Sequence, residues 1–112
     1  METRPSTDVE IAPQELSAAL ENGEPLRLLD VRDSEEHAFV RINGALLATA
    51  EIMEDIRNNW DKAMPIVTYC HHGVRSLHAA RWLKAQGFTN ARSLSGGIHA
   101  WAGEIDPSLP RY

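Results

Sequence analysis

The stretch Pro65-Ile66-Val67-Thr68-Tyr69-Cys70-His71-His72-Gly73-Val74-Arg75-Ser76-Leu77 constrains this chain more than any other. Ile66 to Tyr69 is a β-branched and aromatic run behind a proline, the pattern of a buried strand. Leu77 to Ala85 carries apolar residues at helical spacing. The residues between them must turn the chain sharply, and Gly73 permits a backbone conformation that other residues avoid. Amides of such a loop can point inward together as an anion-binding nest, to which the following helix adds its positive end. Cys70, the only cysteine, sits where the strand ends. Its thiol should ionise more readily than a free cysteine, whose pKa is about 8.5, and the thiolate is the nucleophilic form. Arg75 supplies a permanent cation whose planar fork suits an oxyanion. A lone buried cysteine is usually inert; the glycine, the arginine and the helix start set this one apart.

With 112 residues the chain is long enough for one core and too short for two domains. A single domain over residues 1–112 is expected, with residues 1–8 frayed. Hydrophobic residues make up 43% and charged residues 24%, and no apolar run is long enough to cross a bilayer. With no signal-peptide pattern after Met1, a soluble cytoplasmic protein follows as an expectation. One cysteine forms no internal disulfide, which fits a reducing compartment. The net charge of −5 argues against nucleic acid as a partner. It also hides a segregation: residues 1–61 hold 14 carboxylates against 5 basic side chains, whereas residues 62–103 hold 5 basic side chains and no carboxylate. Kept in space, that asymmetry would draw small anions toward Cys70; folding could equally interleave acidic groups around the loop.

Along the chain, strand and helix signals alternate. Val9 to Ile11 is a short strand, and Pro13 opens a helix that ends near Asn22-Gly23. Leu26 to Val31 is a central strand with Asp30 and Arg32 at its end, where open α/β sheets place ligand crevices. Those two residues are candidates to support the site from behind, with capping and ion pairing as the alternative. Asp33 and Glu36 form a capping box for a helix through Phe39. Ala45 to Ala48 is a short strand, Glu51 to Trp60 a helix with Ile52, Met53 and Ile56 inward, and Ser76 to Gln86 a helix closed by Gly87. Ala91 to Leu94 is the last strand. Ser95-Gly96-Gly97 lets backbone pass close to a neighbour, for which the Cys70 loop is the candidate. Trp60, Trp82 and Trp101 are expected to pack.

The loop Cys70-His71-His72-Gly73-Val74-Arg75-Ser76 resembles the active-site loop of the rhodanese sulfurtransferases. Leu28-Leu29-Asp30-Val31-Arg32, Glu35-Glu36-His37 and Ile42-Asn43-Gly44-Ala45 resemble that family's first signature, and Ser95-Gly96-Gly97-Ile98-His99-Ala100-Trp101 its second. Arg41-Ile42-Asn43 stands where the family commonly has His-Ile-Pro, a departure that concerns the turn. Three ordered motifs at compatible spacing are far more specific than one. Together with Gly96 to Trp101, the tail Glu104 to Tyr112 is similar to rhodanese domains appended to adenylyltransferases that charge sulfur-carrier proteins; the chain is then a stand-alone relative or an excised domain.

The resemblance implies an α/β fold, rhodanese-like, with a five-stranded parallel sheet and helices on both faces. It also implies sulfur transfer through a Cys70 persulfide, with an anionic donor such as thiosulfate and a thiol or sulfur-carrier protein as acceptor. His71, His72, Gly73, Val74, Arg75 and Ser76 would bind the donor, and no cofactor or membrane is called for. Four residues separate Cys70 from Arg75, the length that the resemblance associates with sulfur transfer, whereas related phosphatase loops are longer and enclose a tetrahedral phosphate. A phosphatase and a non-catalytic binding or regulatory module are the alternatives. Cys70, His71, His72 and His78 include common zinc ligands, yet adjacent residues rarely converge on one tetrahedral ion and no familiar ligand spacing occurs. No metal site is expected, and His71 and His72 are read as shaping the rim of the pocket.

Overall fold

Strands and helices alternate from end to end in the computed structural model, which describes residues 5–112. The elements are β1 (Glu10–Ile11), α1 (Pro13–Glu21), β2 (Arg27–Asp30), α2 (Ser34–Phe39), β3 (Leu46–Leu47), α3 (Ala50–Asn59), β4 (Ile66–Tyr69), α4 (Val74–Ala85), β5 (Ala91–Leu94) and α5 (Gly97–Glu104). The strands form one sheet in the order β1-β5-β4-β2-β3, and every pairing is parallel. All four residues of β4 are buried. A strand covered on both faces needs apolar groups at successive positions, which is why Ile66 to Tyr69 shows little alternation.

The side-chain period of two divides the core. Leu29, Ile66 and Ala91 face Ile56 of α3, Leu83 of α4 and Phe88. Leu28, Val67 and Leu94 face the other way, toward Leu16 of α1 and Ile98 and Trp101 of α5. The chain thus has the five-stranded parallel sheet with helices on both faces that was expected. Strand order reverses between β2 and β4, so the connections leaving their C-terminal ends diverge there. Such a switch point is where parallel sheets hold ligands, and both Asp30 and Cys70 leave the sheet at it.

Local chemistry explains the helix ends. The Asp33–Glu36 capping box is present, with Glu36 N donating to Asp33 Oδ1 at 2.8 Å. Thr49, not singled out from sequence, accepts from Ile52 N at 3.1 Å and starts α3 at Ala50, one residue before the expected start. α4 begins at Val74 rather than Ser76, because Gly73 at φ +100° ends the turn and acts as its N-cap. Arg75 and Ser76 therefore lie in its first turn. Of the three tryptophans, Trp101 is buried and Trp60 half-buried under the Arg27 guanidinium. Trp82 lies 40% exposed, contrary to the packing role expected of it.

Of residues 1–8, expected to fray, residues 1–4 lie outside the described residues. Ser6 Oγ accepts from Ala12 N at 2.9 Å and Thr7 Oγ1 from Glu10 N at 3.0 Å, so that segment is tied to β1. Among the described residues no helix is long and apolar enough to cross a membrane.

Candidate active site

Cys70 follows the last residue of β4 and is 2% exposed. Burial without partners would leave its sulfur inert, but the loop wraps donors around it. Gly73 N reaches Sγ at 3.1 Å and Ser76 N at 3.4 Å, while Ser76 Oγ lies 3.4 Å away. The left-handed turn at Gly73 brings the first amides of α4 back toward the sulfur, including that of Arg75. A second element holds the loop open-handed. Ile98 N donates to Cys70 O at 2.9 Å and His99 N to His71 O at 3.0 Å, so α5 draws the loop carbonyls outward and leaves the amides facing in. Gly97 makes this possible: a Cβ there would overlap the backbone of Cys70 and His71. The close approach expected at Ser95-Gly96-Gly97 is thus made to the Cys70 loop.

Burial pushes the Cys70 thiol pKa up, yet the Ser76 hydroxyl and the amides of Ser76, Gly73 and Arg75 outweigh it and hold the thiol below its ordinary value. Each of these groups is a neutral dipole. The Arg75 guanidinium stands apart, 57% exposed at its side chain, with Nη2 3.7 Å from Glu36 Oε1. Glu36 comes from the acidic half of the chain. The charge segregation seen along the sequence is therefore not kept in space, because α2 sets a carboxylate beside the loop's cation.

Beside Cys70 in the chain, His71 is half-buried and His72 exposed, and Val74 is the most exposed large apolar residue among those described. The His71 ring stacks on His72 at 4.2 Å and on Tyr112 at 4.1 Å, and His99 closes the group 4.9 Å from His72. Burial and the neighbouring His72 and His99 lower the His71 pKa, which favours its neutral form. The Tyr112 hydroxyl accepts from Arg32 Nη1 at 2.8 Å and donates to Glu36 Oε2 at 2.6 Å.

Among the described residues neither Asp30 nor Arg32 is a hydrogen-bond partner of Cys70 Sγ. Arg32 N and Nε donate to Asp30 Oδ1 at 3.0 and 2.9 Å, and Nη2 to Oδ2 at 2.7 Å, inside the protein. Asp30 Oδ2 also accepts from Tyr69 OH at 3.2 Å and meets His37 Nδ1 at 2.8 Å. The ion pairing of the second reading is present. Among the described residues no group of three or more His, Cys, Asp or Glu side chains is arranged to hold a metal ion.

A family model for the rhodanese-like domain matches residues 12–104. The chain belongs to that family. Rhodanese-like relatives resemble it over most of its length. It is 38% identical over 104 residues to the probable adenylyltransferase/sulfurtransferase MoeZ of Mycobacterium tuberculosis, covering 91% of this chain but 26% of MoeZ. The chain thus spans about a quarter of that relative's length, as the narrower resemblance to rhodanese domains appended to adenylyltransferases leads one to expect. It is 33% identical over 95 residues to the thiosulfate sulfurtransferase GlpE of Actinobacillus pleuropneumoniae, covering 85% of this chain and 87% of GlpE. A solved rhodanese-like domain protein from Staphylococcus aureus superposes with a TM-score of 0.74 at 32% identity, covering 93% of this chain and 98% of that one.

Four residues at or beneath the site were not assigned to it from sequence: Glu36 as Arg75's partner, His99, Tyr112 and Ser93. Tyr112 carries no local signal, standing in an irregular, proline-containing segment after α5. Ser93 does carry one, since a serine inside a buried strand must find a hydrogen-bond partner.

Proposed function

We propose that this chain is a sulfurtransferase that works through a persulfide on Cys70. The observation that supports this most directly is the convergence of the Gly73 and Ser76 amides and the Ser76 hydroxyl on one sulfur. The Cys70 thiolate attacks the outer sulfur of thiosulfate, an S–S bond forms as the donor's own S–S bond breaks, and sulfite leaves with the bonding pair. The outer sulfur now carries the negative charge. Inward amides stabilise it without moving, as they would an oxyanion, and Arg75 attracts the anionic donor. In the second step a nucleophile, cyanide in vitro or a thiolate, free or on a sulfur-carrier protein, in a cell, takes the outer sulfur as its S–S bond to Cys70 breaks and returns Cys70 to the thiolate. The persulfide is a reversible cysteine modification, so the cycle needs no metal or organic cofactor. A cytoplasmic location belongs to the same reading, because a reducing compartment keeps a single thiol free.

Intact mass measurement after thiosulfate exposure tests this. The native chain should gain one sulfur and lose it on addition of cyanide, and Cys70→Ser should gain none. An unchanged native mass would overturn the proposal, and phosphate release from an aryl phosphate would replace it with a phosphatase.

A further inference from the structure

Beneath Cys70 two strands present hydroxyls to the same helix residue. Thr68 of β4 and Ser93 of β5 are register partners, and both are fully buried on the α4 face of the sheet. Thr68 Oγ1 donates to the Ser76 carbonyl at 2.7 Å, while Ser93 Oγ lies 2.7 Å from Ser76 Oγ. Ser76 Oγ is in turn 3.4 Å from Cys70 Sγ. A line of three side chains therefore runs from the sheet to the sulfur.

We propose that Ser93 is a positioning residue for the Cys70 thiolate: its hydroxyl donates to Ser76 Oγ and so commits the single Ser76 proton to the sulfur. A thiolate has no proton to give, so across the contact with Sγ the Ser76 hydroxyl must be the donor. Its only proton is then spent, and the contact with Ser93 has to be filled by the proton of Ser93. Among the described residues Ser93 Oγ has no other hydrogen-bond partner. Hydrogen bonds in a chain polarise one another, most strongly in a low-dielectric interior, so the Ser93 donor strengthens the bond that Ser76 makes to the charged sulfur.

The charged and titratable groups around the loop are His71 and His72 within it, Tyr69 before it, Arg75 in the first turn of α4, Glu36 of α2, His99 of α5, Tyr112 on the His71 ring and the Asp30–Arg32 pair at the end of β2. None is a hydrogen-bond partner of Sγ. That leaves the neutral line through Ser76 and Ser93, with the amides, as the route by which the protein favours the ionised sulfur. The direction of the Cys70 pKa agrees, the Ser76 hydroxyl being the foremost of the groups that lower it.

The inference rests on Cys70 acting as the nucleophile, but its test needs no sulfur donor. The readout is thiolate formation, followed by absorbance at the thiolate band and by the pH dependence of iodoacetamide alkylation. Ser76→Ala removes a charge-assisted donor and should raise the thiol pKa by about one unit, a tenfold loss of ionisation. Ser93→Ala acts through Ser76 and should give roughly a threefold loss. In the Ser76→Ala background Ser93→Ala should add nothing, since the line is already cut. Ser93→Thr keeps the hydroxyl and Ser93→Val matches its shape without one, so Thr should hold the native midpoint and Val should not. An unchanged midpoint in Ser93→Ala, the same shift in both backgrounds, or equal midpoints for Thr and Val would overturn the assignment. Failure of the sulfur-transfer reading shows up separately, as a native chain that takes up no sulfur.

Discussion

Two buried polar groups leave the sheet at the same switch point, one strand apart, and the protein treats them in opposite ways. Asp30, the last residue of β2, meets a full counter-charge: three Arg32 donors, Tyr69 OH and His37 converge on its two oxygens. Cys70, after β4, meets only amides and a hydroxyl. A carboxylate locked to a guanidinium has no lone pair left to use, so it holds structure. A sulfur stabilised by dipoles alone keeps its charge available, and the Arg75 guanidinium, in the first turn of α4, stands more than half exposed. Burial is common to both; what differs is that a full counter-charge is fixed beside Asp30, whereas Cys70 is met by neutral dipoles.

The sharpest way to break this contrast is to remove the fixed charge. Asp30→Asn leaves Arg32 buried without its partner and should destabilise the fold by about 3–5 kcal/mol, measured by urea denaturation. Arg32 draws the Asp30 pKa below its ordinary value although burial opposes it. A carboxylate with a lowered folded pKa stabilises the native state above its unfolded pKa of about 3.9 and loses that contribution as pH falls through the folded value. Native stability should therefore drop steeply below about pH 4, and Asp30→Asn should flatten that part of the curve. A variant as stable as the native chain would mean that the ion pair does not carry the structure around β2.

A smaller effect separates the rim cation from the cradle. Arg75→Ala should raise the thiosulfate KM roughly tenfold, the lower end for a hydrogen bond to a charged group because Arg75 is half exposed. The lifetime of a preformed persulfide should stay the same, since the amides hold it. A shortened lifetime, or an unchanged KM, would show that the division of labour between rim and cradle is misplaced.

The smallest effect sharpens the boundary between the two regions. Tyr112 touches both, through its hydroxyl to Arg32 and Glu36 and its ring on His71. Tyr112→Phe keeps the stacking and loses the bonds, so stability should fall by about 1 kcal/mol. The Glu36 carboxylate, freed of its phenol donor, should pair better with Arg75 and raise the thiosulfate KM about twofold, within what an exposed ion pair contributes. A lowered KM would reverse the assigned coupling.

Local signals went a long way in this chain. Ile66 to Tyr69 announced a buried strand, Gly73 a left-handed turn, Asp33 and Glu36 a capping box and Gly97 a close backbone approach, because each depends on interactions spanning a few residues or on a conformation only glycine adopts readily. Cys70 as the candidate reactive position followed from the same local logic. What surrounds it did not. Glu36 beside Arg75, Ser93 beneath Ser76 and Tyr112 over His71 join residues far apart in sequence, and no local pattern records which strands become neighbours. The charge segregation along the chain left open whether a carboxylate would reach the site, and parallel pairing of β2 with β4 decided it by carrying α2 to the loop. The sequence by itself determined where a thiolate could be made, through backbone geometry written into adjacent residues. Only the tertiary structure decided what lies within reach of it, because strand order, which no single segment encodes, sets the distances over which charges and hydroxyls act.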